Sequence, residues 1–370
     1  MKKTFLSILA IAAIAFTSCT ISNEEPTTGF QADAANFKGN ITQGTVTLNA
    51  SLEYNLTGAL VVQEGAKLII PAGTVIKASG GTSSYIAVAQ GAQIYIDGTA
   101  ANPVVMTSSK ANPASGDWGG FVICGKAPTN KGTTATAEVS DLTYGGTIAN
   151  DNSGSIRYLR VEYTGATFNG SKEFNGVSLF GVGSGTTFEY VQSYKGGDDG
   201  LEFFGGTVNA KYIVSVNSED DSVDFADGFT GSIENVYIKG VTKAGFEGSN
   251  NGDDGNATPV TNVTIKNASI VLGGLTGSEG AIYYKEGGGK ITYQNIYVDG
   301  LGLGVKVKST DTAANARITA GDLIVNPIQF VNKPTGFDYG VQSVITELNN
   351  SGAGSGSATP TWAASWTIGL

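Results

Sequence analysis

Histidine is missing from this chain of 370 residues. That excludes Ser-His-Asp and Cys-His catalysis and histidine-ligated zinc, since each needs an imidazole. Two cysteines cannot make a disulfide framework or a four-cysteine metal site. Arginine occurs only at Arg157, Arg160 and Arg317. Positive charge is short throughout: 22 Lys and Arg face 32 Asp and Glu, a net charge of −10. Nucleic acid and anionic membrane surfaces both require a basic patch, so no nucleic-acid partner is expected. What the chain has in excess is glycine, 53 residues, about twice the usual ~7 %. Apolar residues make up 41 %, enough for a sizeable core.

The first eighteen residues have the layout of a secretory leader. Lys2 and Lys3 open it, an apolar run follows from Phe5 to Phe16, and Thr17 and Ser18 precede Cys19. The run is too short to span a bilayer comfortably as a helix. Phe16-Thr17-Ser18-Cys19 resembles a bacterial lipobox, with Phe16 where leucine is commoner. The resemblance implies lipidation at Cys19 and an outer-membrane lipoprotein. Loss of Lys2 and Lys3 with the leader takes the net charge to −12. Glu24 and Glu25 resemble the acidic export signal of Bacteroidetes surface lipoproteins, which implies a cell-surface location. Residues 19–40 read as a polar tether with Pro26 and Gly29.

Beyond the tether the chain repeats. Val62 to Ile70 and Val88 to Ile96 match at an offset of 26, with Val, Gly, Ala and two alternating aliphatic residues in register. A second series runs Val177, Leu201, Val223, Phe246, Ile282 and Val305, with steps of 24, 22, 23, 36 and 23. The long step holds Asn250 to Asn256 and reads as a loop insertion. A companion strand recurs at Val191, Ile213, Val236, Val263, Ile296 and Leu323. Repeats of 22–26 residues with short period-two strands mean a solenoid. A leucine-rich repeat lacks its Leu/Asn ladder here, and a propeller blade needs about 40 residues. The spacing therefore predicts an all-β, single-stranded, right-handed parallel β-helix over 41–345. Each coil should add about 4.8 Å, with the apolar series stacked inward and glycines at the corners. An antiparallel sandwich is the alternative, and fixed offsets argue against it. Terminal caps are expected because both ends expose strand edges. Ile41 to Leu56 is the expected cover at the start. Residues 346–370 should be a flexible Gly/Ser lead-in (Ser351 to Ser357) and a cap, Thr361 to Leu370.

Several runs resemble a family of β-helical surface lipoproteins widespread in Bacteroidetes and related marine bacteria. They are Gly73 to Ile76, Gly98 to Ser108, Gly116-Asp-Trp-Gly-Gly120, Asp198-Asp-Gly-Leu-Glu-Phe-Phe-Gly-Gly206 and Asp220-Asp-Ser-Val-Asp-Phe-Ala-Asp-Gly228. The likeness covers roughly residues 58–330. It implies fold and location more than activity. More coarsely, the coils resemble the pectin-lyase-like superfamily, which holds lyases, polygalacturonases and non-catalytic adhesins.

The chemistry lies in an acidic ladder. Asp198, Asp199, Asp220 and Asp221 occupy matching positions of adjacent coils, and Glu202, Asp224 and Glu247 follow at matching strand positions. Alternation turns their neighbours inward and these acids outward, about 5 Å from coil to coil. Like charges so close raise one another's pKa and call for compensation. Either Ca²⁺ held by Asp198, Asp199, Asp220 and Asp221, or Lys195, Lys211 and Lys243, could supply it. Asp227, Asp253 and Asp254 belong to the same region. Three readings stay open. The acids are turn chemistry at corners. They bind a glycan, with Trp118, Tyr283 or Tyr284 as a sugar platform. Or they cleave one, with Asp199 and Asp221 as catalytic candidates for a lyase or glycoside hydrolase. The Gly-His-Gly and Arg-Ile-Lys motifs of polygalacturonases are absent, and a lyase would need a lysine as base. A non-catalytic coat, adhesin or glycan-binding role is the leading expectation, with self-association as a further one. Cys124 reads as a buried apolar residue. Asp221-Ser222-Val223 and Asp311-Thr312-Ala313 match a short O-glycosylation motif, with Thr312 in a loop-like stretch the better acceptor.

Overall fold

A computed structural model describes residues 29–170 and 172–370. The leader, Cys19 and the Glu24–Glu25 pair lie outside the described residues. Twenty-four strands pair, parallel throughout, into one continuous sheet wound as a right-handed β-helix. The expected register holds at each step, from Val177 beside Leu201, to Val223, Phe246, Ile282 and Val305. It also extends upstream through Leu60, Ile86 and Phe121. These side chains are fully buried and form one uninterrupted core. Stacking like residues on like lets each coil bury the apolar surface that the next leaves open.

The companion strand is longer than the spacing suggested, and it is bent. Strands such as Asn209–Val216 and Asn262–Val271 carry a left-handed residue in their middle. This residue turns the chain from one face of the coil to the next. Val191, Ile213 and Val236 continue to Ala268 and Ile296 beyond the bend. Val263 and Leu323 precede it and align with Ile291 instead. The expected series therefore joined two columns. The bend also corrects the assignment of every corner to glycine. Here the positive φ belongs to Tyr158, Tyr190, Tyr212, Asn235, Asn267 and Asn295. Asparagine tolerates that region through its short polar side chain. Asn295 donates to Asn267 at 2.8 Å, and Asn267 to Asn235 at 3.4 Å. The tyrosines stack, with ring centroids 4.3 Å apart from Tyr158 to Tyr190 and from Tyr190 to Tyr212.

The ends differ from expectation. The first strand is Phe37–Ile41, which starts inside the segment read as tether and pairs with Glu53–Val62. Ile41 to Leu56 is thus the first winding and not its cover, a role taken by Phe30, Ala32 and Ala34 packing on the core. Residues 351–370 do not cap the far end. They run back along the bent strands, where the Ala353 amide donates to Ser269 Oγ. Gln192 exchanges two hydrogen bonds with the backbone of Ile368. Trp366 is buried edge-on against Tyr158 and Tyr190, and the half-buried Trp362 packs edge-on against Tyr212. The stacked tyrosine rings offer an apolar face on which the two tryptophans of the tail pack.

One helix, Thr312–Ala320, interrupts the winding; Asp311 caps its start and Gly321 its end. Thr312 is therefore the first residue of a helix, and it is exposed, whereas Ser222 is buried.

Candidate functional site

The outward column beside the core ladder runs Val61, Ala87, Val122, Ser178, Glu202, Asp224, Glu247, Tyr283 and Lys306. It begins apolar and becomes acidic. The apolar part is covered by the excursion that follows Cys124. Ala137, Val139 and Tyr144 from that excursion pack on Val122, Cys124, Phe180 and Phe204 in a second, external core. Cys124 is a buried free thiol there, as expected. The acidic part begins where this cover stops. Its other wall is the insertion at 250–259, clamped by Asn250. The Asn250 amide group donates to the carbonyls of Gly255 and Ala257, and its oxygen accepts from Thr261 N–H.

Between the walls lies a cleft of about 770 Å³, with a second cavity of about 320 Å³ beside it. The two share Asp224, Glu247, Gly252, Lys285 and Glu286. The acids point away from the solenoid core, as alternation requires, yet they are not solvent-facing. Asp199, Asp221, Asp224 and Glu247 are each 4–7 % exposed, because the walls cover them. That corrects the expectation of an open acidic face.

Each acid is held by its neighbours. Asp199 Oδ1 accepts the Asp221 amide at 2.9 Å, and Asp221 Oδ1 accepts the Ala244 amide at 2.5 Å. Asn175 Nδ2 donates to Glu202 Oε2 at 2.6 Å. One oxygen of Asp224, Oδ1, is buried without a partner. Burial, followed by the neighbouring carboxylates, lifts Asp199, Glu202 and Asp224 well above the carboxylate range. Asp221 is pushed up to about 9, first by burial and then by Glu247, and Asp198 to about 7, first by burial and then by Asp220. Asp227 reaches about 6, chiefly through burial, and sits apart near Tyr144 and Lys131. Carboxylates that close in a dry site cannot all ionise.

Of the three lysines expected to compensate, only Lys243 does, pairing with Asp220 at 2.5 Å. Lys211 pairs with Glu234, and Lys195 lies over Tyr194. The cation within the ladder is Lys285, 2.5 Å from Glu247. Burial works against its charge, but Glu247 and Asp224 outweigh it and hold the ammonium protonated. Sequence reasoning missed Lys285, Glu279 and Glu138. Lys285 was within reach, since the same register that aligns Glu247 with Tyr283 aligns Ser249 with Lys285.

The aromatic platform is also corrected. Trp118 and Tyr284 are buried; Trp118 Nε1 donates to the Glu162 carbonyl, and Tyr284 OH bonds the backbone of Gly289. Tyr283 reaches the cleft, but Lys306 and Lys285 lie 4.4 and 5.8 Å from its ring centroid.

Three sets of carboxylates bring oxygens within 4.8 Å of one another: Asp198, Asp199 and Asp220; Asp199, Glu202 and Asp224; and Asp221, Glu247 and Glu279. Their hard oxygens are of the kind Ca²⁺ takes. The exposed Asp253 and Asp254 line the cleft mouth, with Asp253 paired to Lys131 at 2.6 Å.

A family model described as a pectate-lyase like beta helix domain matches residues 39–367. No curated protein and no solved structure matches the chain.

Proposed function

The chain belongs to the pectate-lyase-like β-helix family, and from that premise we propose that it is a lipid-anchored outer-membrane protein, displayed at the cell surface, whose cleft binds a polysaccharide without cleaving it. The observation that carries this reading is the cleft floor. Carboxyl groups from successive coils line a groove parallel to the rod axis, and the four steps from Glu202 to Lys306 carry the column about 19 Å. A linear polymer suits such a groove. Protonated carboxyl groups offer both O–H donors and C=O acceptors to sugar hydroxyls. The lipobox-like Phe16 to Cys19 and the Glu24–Glu25 pair support the anchor and the outward address.

The cleft chemistry disfavours cleavage. A lyase needs a neutral base, but its carboxylate partners hold Lys243 and Lys285 protonated. A hydrolase needs two carboxyl groups about 5–9.5 Å apart. One of the two must also be ionised as nucleophile or base, whereas burial holds Asp199 and Asp221 both protonated. A structural Ca²⁺ would sit on Asp198, Asp199 and Asp220, and a calcium-dependent melting shift tests it.

The deciding experiment is calorimetry of the purified protein with neutral, acidic and amino oligosaccharides, run beside an assay for new reducing ends and unsaturated products. Saturable binding without products is expected. Turnover that disappears in a folded Asp221→Asn variant would replace this reading with a glycoside hydrolase. Palmitate labelling lost in Cys19→Ala, with surface protease access, tests the anchor.

A further inference from the structure

Ten acidic residues line the main cleft against three lysines, Lys243, Lys285 and Lys308. That balance is hostile to a polyanion. Asp224 lines both cavities, and it brings an oxygen within 4.8 Å of oxygens of Asp199, on the main cleft, and Glu202, on the second cavity. Two of these side chains already have one oxygen engaged: Asp199 Oδ1 holds the Asp221 amide, and Glu202 Oε2 holds Asn175. Asp224 contributes Oδ1, buried and without a partner on a residue only 7 % exposed. An acceptor buried this way destabilises the fold unless something fills its need. Lys285 does not fill it, because its ammonium is spent on Glu247 and Glu286.

One oxygen from each of the three side chains lies within 4.8 Å of the other two. A divalent calcium ion takes six to eight oxygen ligands. A primary ammonium has three N–H donors and no acceptor. Three donors, one for each side chain of the triad, match the ammonium.

We infer that the cleft selects a polysaccharide carrying free amino groups, with one sugar ammonium seated on Asp199, Glu202 and Asp224. This rests on the glycan-binding reading above and names its ligand class. Lys285 sets the limit of the subsite, since a second cation cannot approach Glu247 past it. Acidic polymers are refused by the remaining carboxylates at the cleft mouth, Asp253, Asp254 and Asp311 among them. A neutral N-acetylated sugar presents one amide N–H and no positive charge to favour ionisation of the buried triad, as an ammonium does.

The test is calorimetric titration of the purified protein with three tetrasaccharides, of glucosamine, N-acetylglucosamine and galacturonate, each in EDTA and again in calcium. Calcium alone is the fourth titrant. Tenfold or greater preference for the glucosamine form over the N-acetyl form is expected, and it should shrink with added salt. Asp224→Asn, nearly isosteric, should reduce affinity for the amino form more than for the N-acetyl form; Asp199→Asn is the second variant, with melting curves to verify folding. Equal affinity for the amino and N-acetyl forms would overturn the inference and leave glycan binding standing. Calcium-dependent binding of the galacturonate form, or micromolar calcium binding lost in Asp224→Asn, would assign the triad to a metal and overturn it as well. If none of the three sugars binds, the glycan reading falls with it.

Discussion

Replacing Asp221 with asparagine should make the protein's stability less sensitive to pH. Asp221 is 4 % exposed, and burial, with Glu247 beside it, lifts its pKa to about 9. In the unfolded chain an aspartate titrates near ~3.9. Below that value both states are protonated, and the group costs nothing. Between the two values the unfolded chain ionises while the folded one holds its proton, so stability falls as pH rises. The loss ends once pH passes about 9. Its slope is about 1.4 kcal/mol per pH unit, so from pH 5 to pH 8 Asp221 alone removes about 4 kcal/mol. Asparagine cannot titrate. Its amide oxygen can still accept the Ala244 N–H, and its NH₂ can donate to Glu247. Urea unfolding followed by tryptophan fluorescence, in EDTA across pH 5–8, should therefore give a variant profile flatter by about that amount. Parallel profiles, or a wild type more stable at pH 8 than at pH 5, would refute the reasoning.

Two further substitutions probe other parts. Lys285→Met leaves Glu247 without its 2.5 Å partner and should cost about 1–3 kcal/mol at pH 8, read from the same urea curves. Trp366→Ala removes a ring that is 1 % exposed and should weaken docking of the tail by about 3 kcal/mol. Amides of residues 351–370 should then exchange faster while those of the coils do not.

The solenoid could be read in the sequence because its signal is repetitive. Val177, Leu201 and Val223 recur at nearly constant offsets, and stacking turns a constant offset into a fixed register. The acids of the site could be found for the same reason. Their burial could not, because it depends on loops that belong to no repeat. The excursion carrying Tyr144 and the insertion held by Asn250 occur once each, and only folding shows which coils they cover. The bent strand misled for a related reason. Val263 and Ala268 lie on one strand, and only the left-handed Asn267 between them reveals which faces which neighbour. The tail misled because a Trp-rich end suits any apolar surface. What chose its site was a stack of three tyrosines, spaced 32 and 22 residues apart.

That tail alters how the rod must come apart. In a stack where each layer touches only those above and below, the ends fray first and the damage spreads inward. Here the final residues are fastened to Gln192, near the middle of the pile. Peeling away the last windings therefore pulls on layers far inside, and pieces that would otherwise loosen one at a time are tied into a single event.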